Sequence, residues 1–433
     1  MIAGAAKVEI TPACDVWMDG MIRSHRSVGV HDPLYARALF LCPNEDRARA
    51  FVVVSVDVCA LRGQDALAAR QAAAARTGVP AEHIIVAATH THSGPATMGF
   101  FNPVEEGYVR ELVGKIAAVI EQAVNSARPA AAGCGLGRED TISHYRRLLA
   151  DDGHVVMNWE PFPAEHILGP LGVPDTEVGV LAVADAQKPA ELICLLFNHA
   201  GHPNVMSGEN YLLSADYPGY AARLIEKQMG CTAIFTNGAQ GSVDIDGLKD
   251  RDWAGVARAG GALAESVIRT ARSIAPSADA HIRGSHLRYS LAARGITDDE
   301  LAWAEAELAQ TGGAVEPHAD GIGDDYKAAL YKQIRESDEQ DIEVEQTAFA
   351  VDDAIFISFP SELFAEIGAN IKAESRFEQT CIIGLANGCV GYVPTHLAVT
   401  QGGYEVDTRR VSEDAEDTVL ECSHLLTEEL FVR

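Results

Sequence analysis

The segment Thr89-His90-Thr91-His92-Ser93-Gly94-Pro95 sets two imidazoles two residues apart, where an apolar run, Ile84-Ile85-Val86, gives way to glycine and proline. A short β-branched run of this kind reads as a buried strand, and Gly94-Pro95 as its stop. Side chains alternate along an extended chain, so His90 and His92 are expected on one face at the strand's carboxyl end. A His-x-His pair also occurs on solvated strand ends without a role, so further ligands are needed. Other apolar runs supply them. Leu192 to Phe197 leads into His202, Ala354 to Phe359 into Glu362, and Cys381 to Ala386 into Tyr392. Two imidazoles plus a carboxylate form a ligand set of catalytic zinc that leaves a position for water, and a phenolate can add a further ligand. A metal held this way lowers the pKa of its water to about 7 and polarises a carbonyl. The spacing is non-local, unlike HExxH, so no short motif proves the site.

The elements that must position these groups alternate along the chain. Strands are expected over residues 37–41, 51–57, 177–183, 192–197, 232–236, 354–359 and 381–386. Helices are expected over about 64–76, 105–126, 217–229, 253–273 and 363–373, from propensity and 3.6-residue spacing. Residues 130–175, rich in glycine, proline and charge, are expected as short strands and loops. Residues 295–340 read as two charged helices joined by the stretch Thr311 to Gly323. They form a peripheral insertion, either a lid or a solvated hairpin with no catalytic role. The fold class is α/β: central strands flanked by helices in one catalytic domain over 1–433, with the active site at strand ends.

Composition narrows the partners. Apolar residues are 47% and charged residues 22% of 433, as in ordinary globular proteins. Lys plus Arg number 34 against 62 Asp plus Glu, a net charge of −28, which disfavours nucleic acid and anionic membranes. No apolar run is long enough to span a bilayer. The opening residues carry no charged and apolar leader, so a cytoplasmic protein is expected. Nine scattered cysteines without CxxC pairs read as free thiols in a reducing compartment. A homo-oligomer is compatible with the sequence.

The chain resembles the catalytic domain of the neutral/alkaline non-lysosomal ceramidase family. The resemblance lies in THTHSGP at 89–95, His202-Pro203, Ser214-Ala215-Asp216-Tyr217-Pro218-Gly219-Tyr220, Phe359-Pro360-Ser361-Glu362, Gly391-Tyr392-Val393-Pro394-Thr395 and Gln401-Gly402-Gly403-Tyr404-Glu405. It implies zinc held by His90, His202, Glu362 and Tyr392, and a second tyrosine, Tyr404, that donates to the oxyanion. It leaves His92 either to carry a proton to the leaving amine or to orient a neighbour. Arg146 falls near the family's Asn-Arg-Ser segment beside the substrate, with a surface arginine as the alternative.

The departures concern the substrate. Where the family has Gly-Asp-Val-Ser-Pro-Asn, this chain reads Gly241-Ser242-Val243-Asp244-Ile245-Asp246. An ionised Asp244 cannot donate as a serine does, and it is costly to bury beside lipid. Asp244 is therefore expected to select a polar substrate, or else to touch the metal. The family's usual export signal and C-terminal β-sandwich have no counterpart here. The expected activity is zinc-dependent hydrolysis of an amide or lactam in a small soluble molecule. Hydrolysis of an ester or other polar bond and a catalytically silent metal-binding module are the alternatives. A serine hydrolase acting through Ser93 or Ser242 is weaker, since neither sits in a GxSxG elbow.

Overall fold

The computed structural model describes residues 1–99, 101–245 and 251–432; Asp246 and Arg433 lie outside the described residues. Eight strands form the main sheet, in the order Thr232–Asn237, Lys188–His199, Glu177–Asp185, Arg128–Arg138, Ile2–Glu9, Tyr35–Cys42, Phe51–Val56 and Ile84–Ala88. The two outermost pairs are parallel and the inner ones antiparallel. A second sheet contains Ile282–Ala292, Asp341–Val351, Ala354–Ser358 and Gln379–Ile383, its last pair parallel.

Alternation along the strands explains the layering. In the main sheet Ala38, Phe40, Val52 and Val54 pack against helices Gly63–Thr77 and Glu106–Asn125. Their odd-numbered neighbours Leu39, Val53 and Ile85 face Phe349, Phe356 and Cys381 of the second sheet. The second sheet turns Ile355, Ile357 and Ile382 outward onto helices Ala365–Glu374 and Ala415–Val432. The result is helix, sheet, sheet, helix. Flanking helices are as expected from the sequence; the pairing of two sheets through their inner faces is not.

Phe349 and Phe356 stack between the sheets, 4.8 Å apart and 6° from parallel, both fully buried. Phe356→Ala should remove about 3–5 kcal/mol of stability, read from the shift of the urea midpoint. A shift under about 1 kcal/mol would mean that the inter-sheet core collapses to fill the space.

Arg128–Arg138, an 11-residue strand, enters the region expected as short strands and loops. Its alternate Gly133, Gly135 and Gly137 face helix Trp253–Ser273 and the residues just after it, where an added Cβ would lie 2.9, 2.8 and 2.2 Å from Ile274 or Thr270. Close helix approach, not strand propensity, chose these residues. Strands Ile282–Ala292, largely half-buried, and Asp341–Val351, whose first half alternates with Asp341, Glu343 and Glu345, were likewise unread.

The main sheet coils until its two edge strands meet at their carboxyl ends. Asn237 Nδ2 donates to Thr89 O at 3.4 Å and to Gly201 O at 3.0 Å. Ala87 bridges to Ala386, beyond the end of the second sheet's outer strand. Strand ends from both sheets thereby open on one place. Helices Asp298–Thr311 and Asp324–Ser337 form the expected hairpin, with a small apolar core around Ala304, Ala328 and Tyr331. No helix among the described residues is long and apolar enough to cross a membrane.

Candidate metal centre

The chain leaves the sheet directly after Ala88. Thr89 N and His90 N donate to Val56 O and Val58 O at 2.9 and 3.0 Å, and His90 adopts φ +73°. A left-handed conformation at a non-glycine residue costs on the order of 1–2 kcal/mol, a strain that collects at functional sites. Strand alternation therefore does not unite the histidines, as the sequence suggested. They meet because His90 turns back, which leaves its Nε2 3.2 Å from Nε2 of His92. Gly20, at φ +90°, makes room for this, since a Cβ there would lie 2.4 Å from Cγ of His92. Gly20 belongs to an irregular segment without periodicity, and sequence reasoning missed it.

Nε2 of His90 and Nε2 of His202 each lie 3.2 Å from Oε2 of Glu362. Their Nδ1 atoms face backbone carbonyls: Cys59 O at 2.8 Å for His90, Val243 O at 3.0 Å and Gln240 O at 3.1 Å for His202. A ring N–H given to a carbonyl fixes the tautomer and leaves Nε2 with its lone pair. The loop after Thr232–Asn237, expected to meet substrate, thus aims a ligand. Two imidazole lone pairs and a carboxylate oxygen converge on one buried point, and Oε2 of Glu362 receives no hydrogen bond there. Facing electron pairs without a proton repel strongly in a low dielectric; a divalent cation removes the conflict. This donor set suits zinc. Cys59, His90 and His92 form a second grouping. There the Cys59 thiol, pushed up by burial, stands 3.5 Å from Nδ1 of His90, the nitrogen already given to a carbonyl. The Glu362 side is the better centre.

Burial, then the neighbouring His90 and His202, holds the His92 imidazole well below its usual range. Burial and Arg146 lower His202. Burial alone would raise the Glu362 carboxyl, but His90 and His202 bring it well below its ordinary value. Exposed imidazoles take up protons below about pH 6.5, where the folded His92 and His202 still refuse them. The unfolded chain then binds more protons, so stability falls as pH drops through that window. Glu362 extends the loss below about pH 4.5, as its folded-state charge becomes a cost to neutralise. The urea midpoint should be lower at pH 5.5 than at pH 7.5, and equal midpoints would contradict neutral buried histidines.

Glu362 and Tyr392 do not come from independent strand ends. They are opposite residues in a two-residue parallel pair, Glu362–Leu363 beside Tyr392–Val393. Tyr404 opens the short helix Tyr404–Thr408, and its ring lies 5.7 Å from that of Tyr392. Burial holds both phenols above their usual range, so both keep their protons at neutral pH.

Arg146 is buried beneath these rings. Its Nε donates to Glu405 at 2.7 Å and its Nη2 to Gly241 O at 2.7 Å, while Nη1 lies 3.3 Å from Nε2 of His202 and 3.5 Å from Asp244. Asp244 is fully buried, pairs across strands with His144 and accepts from Asn204 at 3.2 Å. Both were expected to face the substrate, but neither lines the cavity described next. A carboxylate and a guanidinium taken out of water compensate each other, which keeps them behind the metal cluster.

A cavity of about 550 Å³ opens over the centre, within the usual range for small-molecule sites. His90, His92, Glu362, Tyr392 and Tyr404 line it on one side. Met98, Phe101, Tyr326 and Leu330 give it an apolar wall, the last two from the helical hairpin. The hairpin is thus part of the site rather than a detached, solvated pair. Ser93 and Ser242 are spent elsewhere, on Asn210 and on the start of helix Ala365–Glu374.

With this geometry in view, comparison with known proteins is informative. The family model described as neutral/alkaline non-lysosomal ceramidase, N-terminal, matches residues 2–240. The neutral ceramidase from Pseudomonas aeruginosa is similar in structure, with a TM-score of 0.75 at 19% identity over 99% of this chain and 74% of that one. A ceramidase complexed with C2 gives 0.74 at 18% identity, over 100% of this chain and 75% of that one. These structural likenesses carry the fold.

Proposed function

The chain belongs to the neutral/alkaline non-lysosomal ceramidase family, an amide-hydrolase family, and from that premise we propose that it hydrolyses a C–N acyl bond, amide or lactam, in a small soluble molecule with the help of zinc. The observation that carries this reading is the meeting of His90, His202 and Glu362 around one buried point beside the cavity, which His90 and Glu362 line. Those three, with Tyr392, would hold the ion. When bound, it supplies a Lewis acid that polarises a carbonyl and makes water nucleophilic near neutral pH.

The chain's own groups do the rest. Nε2 of His92 lies 3.2 Å from Nε2 of His90 on the cavity wall, within reach to relay a proton from the attacking water to the departing amine. The Tyr404 hydroxyl, held protonated, donates to the carbonyl oxygen as it gains charge. Arg146 keeps His202 and both tyrosines in place, and Asp244 with Glu405 balances its charge. Asp244 is thereby moved from selecting substrate to positioning the site. A net charge of −28 supports a soluble substrate over a lipid on an anionic membrane. Residues from His90 to Tyr404 serve one site, which supports one catalytic domain with 295–340 as an insertion.

The test is zinc content of the purified protein together with turnover of an amide library and matched esters. About one zinc per chain and amide cleavage support the proposal. Full-strength cleavage after complete zinc removal would overturn it.

A further inference from the structure

Resting on the amide-hydrolase reading above, one feature of the cavity bears on which amide it takes. Two arginines line it, Arg62 and Arg410. Arg62 is spent: it donates to Asp65 at 2.5 Å and to both oxygens of Glu106 at 2.7 and 3.0 Å. Arg410 is not. Among the described residues its guanidinium has neither a hydrogen bond nor an ion pair, although it is partly buried and its field reaches Tyr326 and Cys389 on the same wall. Glu339 also lines the cavity, but no ion pair joins it to Arg410. The neighbouring arginines are engaged: Arg409 donates to Val406 O at 2.6 Å, and Arg294 to Asp407 O at 2.8 Å and to Glu300 at 2.9 Å.

A guanidinium offers five donors in a planar fork that matches a carboxylate or phosphate. An acidic chain, with 62 carboxylates available, that leaves such a fork open on the wall of its site keeps it for a ligand. Met98, Phe101 and Leu330 give an apolar surface in the same cavity. We propose that Arg410 determines specificity by binding an oxyanion on the substrate, so that the preferred substrate is an acidic amide: an apolar acyl chain joined to an amine that bears a carboxylate. The net charge does not exclude such a ligand, since carboxylates more than about 8 Å away are largely screened at physiological salt. Inside the cavity the nearby guanidinium decides.

The experiment uses the zinc-loaded full chain and three matched probes: N-hexanoylglycine, its neutral isostere N-hexanoylglycinamide, and N-hexanoyl-aminomethylphosphonate. Wild type should favour the carboxylate over the neutral amide by at least about tenfold in kcat/KM, mostly through KM. Arg410→Gln should bring that ratio close to one, and Arg410→Lys should restore part of it. Binding measured calorimetrically does not need turnover. Weaker binding of N-hexanoylglycine to Arg410→Gln than to wild type, with zinc content unchanged, supports the inference even if no amide is cleaved. A stronger preference for the phosphonate, lost in the same variant, also supports the oxyanion site but makes phosphate its natural partner instead of carboxylate. If neutral and acidic amides are cleaved equally and Arg410→Gln leaves both the ratio and the binding unchanged, the inference fails while the amide-hydrolase reading stands.

Discussion

His90→Ala should yield a folded protein that has lost its metal and its activity: zinc falls from about one per chain to below about 0.1, and kcat/KM on any amide substrate drops by more than about a thousandfold. The variant removes one of two imidazoles that meet Oε2 of Glu362 at 3.2 Å and leaves that carboxylate facing a single ligand. It also relieves a residue at φ +73°. Alanine tolerates that conformation no better, but the backbone bonds of Thr89 and His90 to Val56 O and Val58 O remain, so thermal stability should change less than activity does. His90 also donates from Nδ1 to Cys59 O, and this contact is lost too. Glu362→Gln separates the effects. It keeps shape and volume but loses the charge that pairs with the ion, so metal should again be lost while the His90 loop stays in place. Metal analysis with circular dichroism reads both variants. Full zinc occupancy in His90→Ala would show that the ion is held elsewhere and would remove the basis of the proposed chemistry.

Tyr404→Phe should behave differently. Zinc content should be unchanged and KM should move little, while kcat falls by about 10²–10³, the usual cost of one lost oxyanion donor. The prediction rests on placement: the Tyr404 ring lies 5.7 Å from Tyr392, on the cavity wall, and burial keeps its proton on. Substitution also alters its contact with the Tyr392 ring, so Tyr392→Phe serves as the companion. If Tyr392 is a ligand, its loss should lower metal affinity as well as kcat, and titration with a zinc chelator distinguishes the two variants. A Tyr404→Phe enzyme with normal kcat would reassign that tyrosine to packing against Trp159, whose ring lies 5.4 Å away.

Much of the frame was legible in the chain because burial leaves a period in the sequence. Apolar runs marked Phe51–Val56, Ile84–Ala88, Glu177–Asp185 and Thr232–Asn237, and a one-sided apolar pattern marked helix Glu106–Asn125. Arg128–Arg138 was invisible because its glycines answer to a helix more than a hundred residues away. The candidates His90, His92, His202, Glu362, Tyr392 and Tyr404, which the fold brings together, were legible too, since each follows an apolar run or lies in a motif of the family the chain resembles. Asp244 and Arg146 were legible as residues but not as places. A buried pair has no periodic signature, and only the fold reveals that each is the other's counter-charge. Arg410 gave no signal at all; its interest lies in the partners it lacks.

The sequence by itself determined the candidates for the chemistry and the position of most strands and helices, because residue type and local spacing are properties of the chain alone. Tertiary structure decided the rest: the turn-back at His90, the coiling that joins the two edge strands, the parallel pair that sets Glu362 beside Tyr392, and which arginine faces the cavity without a partner. Each of these depends on groups far apart in sequence excluding water together, and burial of that kind is a property of the packed molecule that no local window contains.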